Sequence, residues 1–429
     1  MRTTSHRVIL LLILLAALGL RAGWAIYQGS GIDQRLPDQG HYLQIAENLL
    51  AGRGMVLHDE RYGQDLLAYR MPGYPLFVAA LGASPLAVRM AQAGIDVSTV
   101  LAVYLLAGRL LVLSRQGQTS RIPLLAAAIV AVNPFLIYFS GLILSETLYT
   151  ALLIWGVYLL VRYPNFLWGG IVLALSIHVR PSALLLPVVM GFAAVFLHRA
   201  AAAPAPRVGG RSFWNLRLPV GSTMLILVLL ALVPWAYRNH ERVGRWVWLT
   251  TNGGISLYDG WQPNATGASD QRFADSAELR PLRLLNEEQR DTAYTRLAVR
   301  SVRAMWAADR SHVVDLVGSK LGRTWSPIPL SQDYGSNPLY VIAGAAYALP
   351  LFLAALAGLF YAPLPRSAKA LLLLPAIYYS VVHALTVGSL RYRVPVEPLL
   401  AVLAAVGIAA MFAARKRSTK AHSGDSGDI

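Results

Sequence analysis

The chain has 429 residues, 55% of them hydrophobic and only 14% charged. Soluble globular chains carry about a quarter charged residues, so an ordinary water-soluble domain is excluded. The absence of cysteine removes disulfides, thiolate catalysis and cysteine metal sites. The formal net charge of +16 leaves two partners to separate, a nucleic acid and a membrane.

Apolar runs long enough to cross a bilayer recur along the chain and predict an all-α polytopic membrane protein. Ten spans are expected: 8–27, 85–107, 122–140, 147–161, 166–180, 182–198, 218–235, 337–361, 370–387 and 394–414. Arg2 and Arg7 before Val8–Leu20 have the look of a signal peptide. No convincing small-x-small cleavage site follows and apolar character resumes through Tyr27, so a retained span is expected. Arg180-Pro181 separates the fifth and sixth spans, and proline, lacking a backbone donor, predicts a break there.

With the N-terminus in the cytoplasm, segments 1–7, 108–121, 162–165, 198–217, 362–370 and 413–429 fall on one side. They carry a net charge of +14, and the rest of the chain carries +2. This asymmetry puts both termini in the cytoplasm. The basic residues are scattered through short loops rather than gathered on one face, which argues for membrane lipids and against nucleic acid. The expected location is a plasma membrane, bacterial inner membrane by type, with the working face outward.

The expected organisation is a transmembrane module over 1–235, an outward cap over 236–336, further spans over 337–414 and a disordered tail over 415–429. The first outward loop, 28–84, contains an amphipathic stretch from Gly40 to Leu50, with Tyr42, Ile45, Ala46 and Leu49 on one side. A surface helix is predicted there. The cap opens with turn signals (Asn252-Gly253-Gly254, Gln262-Pro263-Asn264) and becomes helical from Asn286, an N-cap before Glu287 and Glu288.

Ionisable side chains beside hydrocarbon are costly and mark function. Asp38, Arg70, Glu146, His178, Arg180, Arg238, Arg391, Arg393 and Glu397 all fall at outward span ends or outward turns. Arginine forks suit phosphate oxygens, and a carboxylate takes a proton from an attacking group. Each residue also has a plainer reading. An arginine can anchor in the headgroups. Glu146 after Ser145 can cap a span, and Asp38 can cap the surface helix. His178 fits packing, Asp96 a local pair within the second span, and Asn264-Ala265-Thr266 a chance glycosylation pattern.

The ordered set of motifs resembles the GT-C superfamily of glycosyltransferases that use polyprenyl-phosphate sugars. The groups most similar are protein O-mannosyltransferases and lipid A aminoarabinose transferases. The residues that carry the resemblance are Asp38 and Tyr42 followed by IAENLLAGRGM, Arg70-Met71-Pro72-Gly73-Tyr74-Pro75-Leu76, and Leu144-Ser145-Glu146-Thr147. Further along are Val179-Arg180-Pro181-Ser182, Pro234-Trp235-Ala236-Tyr237-Arg238-Asn239 with Thr251-Asn252-Gly253-Gly254, and Arg391-Tyr392-Arg393-Val394-Pro395.

The resemblance implies a GT-C arrangement of helices and inverting transfer of a sugar to a lipid, glycan or protein acceptor. It implies Asp38 as general base, Glu146 as the catalytic-site residue that positions the acceptor or the sugar, and Arg70, Arg180, Arg391 and Arg393 on the donor phosphate. Tyr42, His41, Arg238 and Tyr392 would position substrate. No organic cofactor is expected, and a divalent cation stays open. There is no Walker-type or dinucleotide-type glycine loop, which fits a lipid-linked donor. The alternatives are a glycan ligase or polymerase of related architecture and, from another class, a transporter or lipid flippase. A transporter should have repeated halves and midplane polar groups.

Overall fold

The computed structural model describes residues 2–33, 35–114, 121–201 and 220–424. In chain order, α1 is Arg2–Gln28, α2 Pro37–Leu50, β1 Leu57–Asp59, β2 Gln64–Leu66, α3 Gly73–Ala80 and α4 Pro85–Leu113. Next come α5 Ile122–Ala131, α6 Pro134–Ser140, α7 Glu146–Arg162, α8 Leu167–Ser176, α9 Leu186–Ala201 and α10 Val220–Val243. The cap holds α11 Gly253–Trp261, α12 Glu287–Ala308 and α13 Arg310–Trp325. After α14 Gln332–Gly335 the chain ends with α15 Pro338–Tyr361, α16 Arg366–Leu385 and α17 Glu397–Gly424.

The protein is an integral membrane protein. Seven described helices are long and apolar enough to cross a bilayer, and the bent α5–α6 pair makes eight. The other two expected spans are short helices, α7 with 17 residues and α8 with ten. The predicted break at Arg180-Pro181 is present as a 3-10 turn, Pro181–Ala183, before α9. The span expected over 122–140 is broken instead of straight, with a 52° bend. Pro134 lacks a backbone donor, and the Asn133 carboxamide accepts from the amides of Phe135 and Leu136, so a new helix starts there.

Two buried devices lock the spans together. Arg21 of α1 donates through Nε to Asp96 of α4 at 2.5 Å, both side chains fully buried. The same guanidinium donates to the carbonyl of Ala131 at 2.7 Å, one of the acceptors left open at the end of α5. Asp96 therefore pairs with another span, not locally. Between α15 and α17 glycines allow backbone contact: a Cβ at Gly358 would lie 2.0 Å from the Leu403 carbonyl oxygen.

The two long loops, 28–84 and 236–336, are built as the periodicity predicts, with one addition. α2 buries Tyr42, Ile45 and Ala46 on one side, and Asn286 caps α12 by accepting from the Gln289 amide at 2.9 Å. The addition is a short antiparallel hairpin, Leu57 opposite Leu66, which the periodicity does not predict. Its ladder is too short for a period-two signal to register. α17 continues to Gly424, where a disordered tail is expected from 415, and 425–429 lie outside the described residues.

Candidate active site

Asp38 is the second residue of α2. Pro37 opens that helix, where a missing N–H costs nothing, and Leu36 at the cap position offers no side-chain acceptor. Asp38 is thus not the helix cap. Its carboxylate points across to two arginines, accepting from Arg70 and, at 2.8 Å, from Nη1 of Arg391. Burial pushes this carboxyl up, but the guanidiniums of Arg70 and Arg391 outweigh it and hold Asp38 well below the usual carboxylate range.

Glu146 is the first residue of α7, and Ser145 before it makes no side-chain cap bond. The Glu146 side chain is fully buried, and its Oε1 accepts from Arg391 and, at 3.1 Å, from Nη2 of Arg180. The result is a chain of five charges, Arg70–Asp38–Arg391–Glu146–Arg180, with one net positive charge. These five side chains come from five separate segments and meet only in the fold. Among the described residues, Glu146 Oε2 and Arg70 Nε have no hydrogen-bond partner despite burial.

Uncharged groups hold this cluster. Nη2 of Arg70 donates to Nδ1 of His41 at 2.9 Å. Burial and the neighbouring Arg70 pull the His41 imidazole down from 6.5 to about 4, so it is neutral at physiological pH. Tyr42 packs edge-on against Tyr74, with the Arg70 guanidinium 5.5 Å above its ring centre. Gln39, fully buried, accepts from the Ile143 amide and donates to the Asp33 carbonyl, tying α2 to the turn that delivers Glu146. Arg180 lies 5.8 Å from the ring centres of both Tyr149 and Tyr392. Tyr392 stacks flat on His383 at 3.5 Å.

The cluster sits in the wall of a cavity of about 1500 Å³ lined by Asp38, His41, Arg70, Arg180, Arg391 and Tyr392 among others. Tyr42 reaches the same cavity. One side is aromatic, with Trp24, Tyr138, Tyr334 and Tyr340; another is polar, with Asp59, Asp259 and Gln271. Among the described residues no group of three or more His, Asp or Glu side chains is placed to hold a metal ion.

Two expected phosphate or substrate residues lie elsewhere. Arg393 is fully buried, donates through Nε to Glu397 at 2.7 Å and also donates to the Ser326 carbonyl. It packs between Phe135 and Phe352. Two positions beyond Arg391 in a 3-10 turn, its side chain leaves on another side, so it is a structural arginine. Arg238 donates to the backbone carbonyls of Leu67 and Met55, the latter at 3.0 Å, and secures the hairpin. His178 donates through Nε2 to the Ala231 carbonyl at 2.9 Å and is a packing residue. Nothing in the sequence points to His383, a lone histidine near the end of α16, or to the tertiary role of Glu287, whose carboxylate accepts from the amides of Leu67 and Ala68. Neither carries a motif.

Fold and site define an integral membrane protein in which loop and span-end residues close an arginine–carboxylate cluster over a large cavity. No protein-family model and no curated protein sequence matches the chain. Solved structures do match. The archaeal oligosaccharyltransferase AglB from Archaeoglobus fulgidus, in complex with an inhibitory peptide and a dolichol-phosphate, aligns over 99% of this chain and 52% of its own, with TM-score 0.50 and 14% identity. The A. fulgidus oligosaccharyltransferase tethered to an acceptor peptide aligns over 95% and 49%, with TM-score 0.52 and 14% identity. ArnT from Cupriavidus metallidurans bound to undecaprenyl phosphate aligns over 94% and 77%, with 13% identity, but its TM-score of 0.36 is too low to carry an argument. The chain spans about half the length of the oligosaccharyltransferases it matches. The likeness shows the fold that this chain shares with those oligosaccharyltransferases.

Proposed function

We propose that the chain is a membrane glycosyltransferase that moves a sugar from a polyprenyl-phosphate donor to an acceptor hydroxyl or amine on the outward face. The observation that carries this reading is the bridge formed by Arg391 between Asp38 and Glu146 at the head of the cavity. One net positive charge in the cluster matches the single negative charge of a phosphodiester.

The donor phosphate binds to Arg391 and Arg180, with Arg70 beside it, and the isoprenoid tail lies along the apolar part of the cavity. Engaging the phosphate draws Arg391 and Arg70 away from Asp38. The carboxylate, no longer held down by two guanidiniums, becomes a stronger base. The acceptor oxygen or nitrogen then attacks the anomeric carbon, and its proton passes to Asp38. The bond from that carbon to the phosphate oxygen breaks, and its electron pair stays on the phosphate, where the arginines stabilise the growing charge. One displacement inverts the anomeric centre. Glu146 holds Arg391 and Arg180 in place.

A second reading, transfer of a whole glycan, is favoured by the cavity, which exceeds the roughly 300–1000 Å³ of ordinary small-ligand sites. The test is transfer in vitro from a panel of polyprenyl-phosphate monosaccharides and oligosaccharides, with the anomeric configuration of the product determined. Retention of configuration, or no transfer from any polyprenyl-linked sugar, overturns the proposal.

A further inference from the structure

The outward cap grips the chain just before Arg391. The last carbonyls of α16 have no partner within their own helix. Trp261 of α11 donates through Nε1 to the Leu385 carbonyl at 2.6 Å, and Nζ of Lys320 on α13 donates to the Ala384 carbonyl at 3.3 Å. The Lys320 ammonium also sits 3.5 Å over the centre of the Trp261 ring. Lys320 is fully buried and Trp261 is 5% exposed. A cation at a helix C-terminus is favourably placed against the helix dipole.

Glycines make the grip tight. A Cβ at Gly260 would lie 1.9 Å from the Thr386 carbonyl oxygen, and one at Gly388 would lie 2.2 Å from that of Lys320. The Gly388 amide donates to the Gly267 carbonyl at 2.8 Å. Three residues after Gly388 comes Arg391, in the 3-10 turn Leu390–Tyr392. The next arginine, Arg393, donates to the carbonyl of Ser326, just past α13. The segment that presents Arg391 is therefore held at both ends by the cap.

We infer that Lys320 and Trp261 are positioning residues for Arg391: they fix the 384–388 turn, and that turn sets where the Arg391 guanidinium meets Asp38 and Glu146. Neither residue lines the cavity, so their effect reaches substrate through Arg391. The functional consequence rests on the reading of Arg391 as a phosphate ligand; the mechanical one does not.

Lys320→Met keeps the aliphatic stem and removes the charge, and Trp261→Phe keeps the ring and removes the N–H donor. Both are made in the full chain in lipid nanodiscs, alone and with Arg391→Ala. Hydrogen–deuterium exchange over 384–392 and binding of undecaprenyl phosphate are measured. Faster exchange in that segment is expected in both variants. Binding should weaken about tenfold, the equivalent of one hydrogen bond to a charged group. Neither variant should add a further loss to Arg391→Ala, because all act through one side chain. Unchanged exchange over 384–392 overturns the inference, and so does a full additional loss in the Arg391→Ala background. Normal binding by Arg391→Ala alone sinks the phosphate reading instead, and the exchange result then decides the positioning role. Should Lys320→Met fail to fold, Trp261→Phe decides it.

Discussion

Arg391 donates to Asp38 at 2.8 Å although 353 positions separate them in the chain. The same guanidinium reaches Glu146, so one residue from the start of the last span joins two carboxylates at the starts of α2 and α7. Removing any one of the three should change how the other two are held.

Asp38→Asn keeps the shape of the side chain and removes its charge and basicity. Transfer from a labelled polyprenyl-phosphate sugar should fall about 100-fold or more, in line with general-base contributions. Binding of undecaprenyl phosphate should be kept or tightened, since Arg70 and Arg391 lose a competing anion. A stable and fully active Asn variant would remove Asp38 from the mechanism and leave Glu146 as the next candidate.

Arg391 and Arg393 should separate cleanly. Arg391→Ala should cost ~1.5–3 kcal/mol of donor binding with modest effect on folding, and Lys should rescue only partly because it lacks the fork. Arg393→Ala strands Glu397 as an uncompensated buried charge and should cost ~3–5 kcal/mol of stability. Thermal unfolding and donor binding measured on both variants check this. Equal effects in both assays would mean that the two arginines share one role.

Acid should destabilise the protein through His41. Its native value of about 4 lies below the free imidazole's 6.5. Between those values the unfolded chain binds the extra proton, so stability falls as pH drops from 6.5 to 4. Asp38, held low, adds stability above the ordinary carboxylate range that is lost as pH falls further. His41→Asn should flatten the thermal-midpoint profile between pH 6.5 and 4. An unchanged slope would show that His41 titrates normally.

Topology has a direct check. Reporter fusions after Arg211 and after Asn286 should report opposite faces of the membrane, as the +14 against +2 charge division requires. Matching signals would overturn an outward-facing site.

Composition and apolar run length by themselves determined that this is a helical membrane protein, because a bilayer fixes the length of any helix that crosses it. Local signals likewise determined the surface helix at Tyr42–Ala46, the Asn286 cap and the Pro181 break, since capping and proline act within a few residues. Asp38, Arg70, Glu146, Arg180 and Arg391 were legible as residues worth watching because charge beside hydrocarbon is rare. Which of them meet was not legible. Arg391 and Arg393 look equivalent in sequence, yet a 3-10 turn sends one side chain to the cavity and the other to Glu397. Periodicity predicted one straight span over 122–140, but the Asn133 carboxamide competes with the helix for its amides, and it does so while its other end donates to Glu397 from 264 positions away. His383 and Lys320 carried no pattern at all. Their place follows from helices packing across distances that no window of sequence spans, and only the tertiary structure decides such pairings.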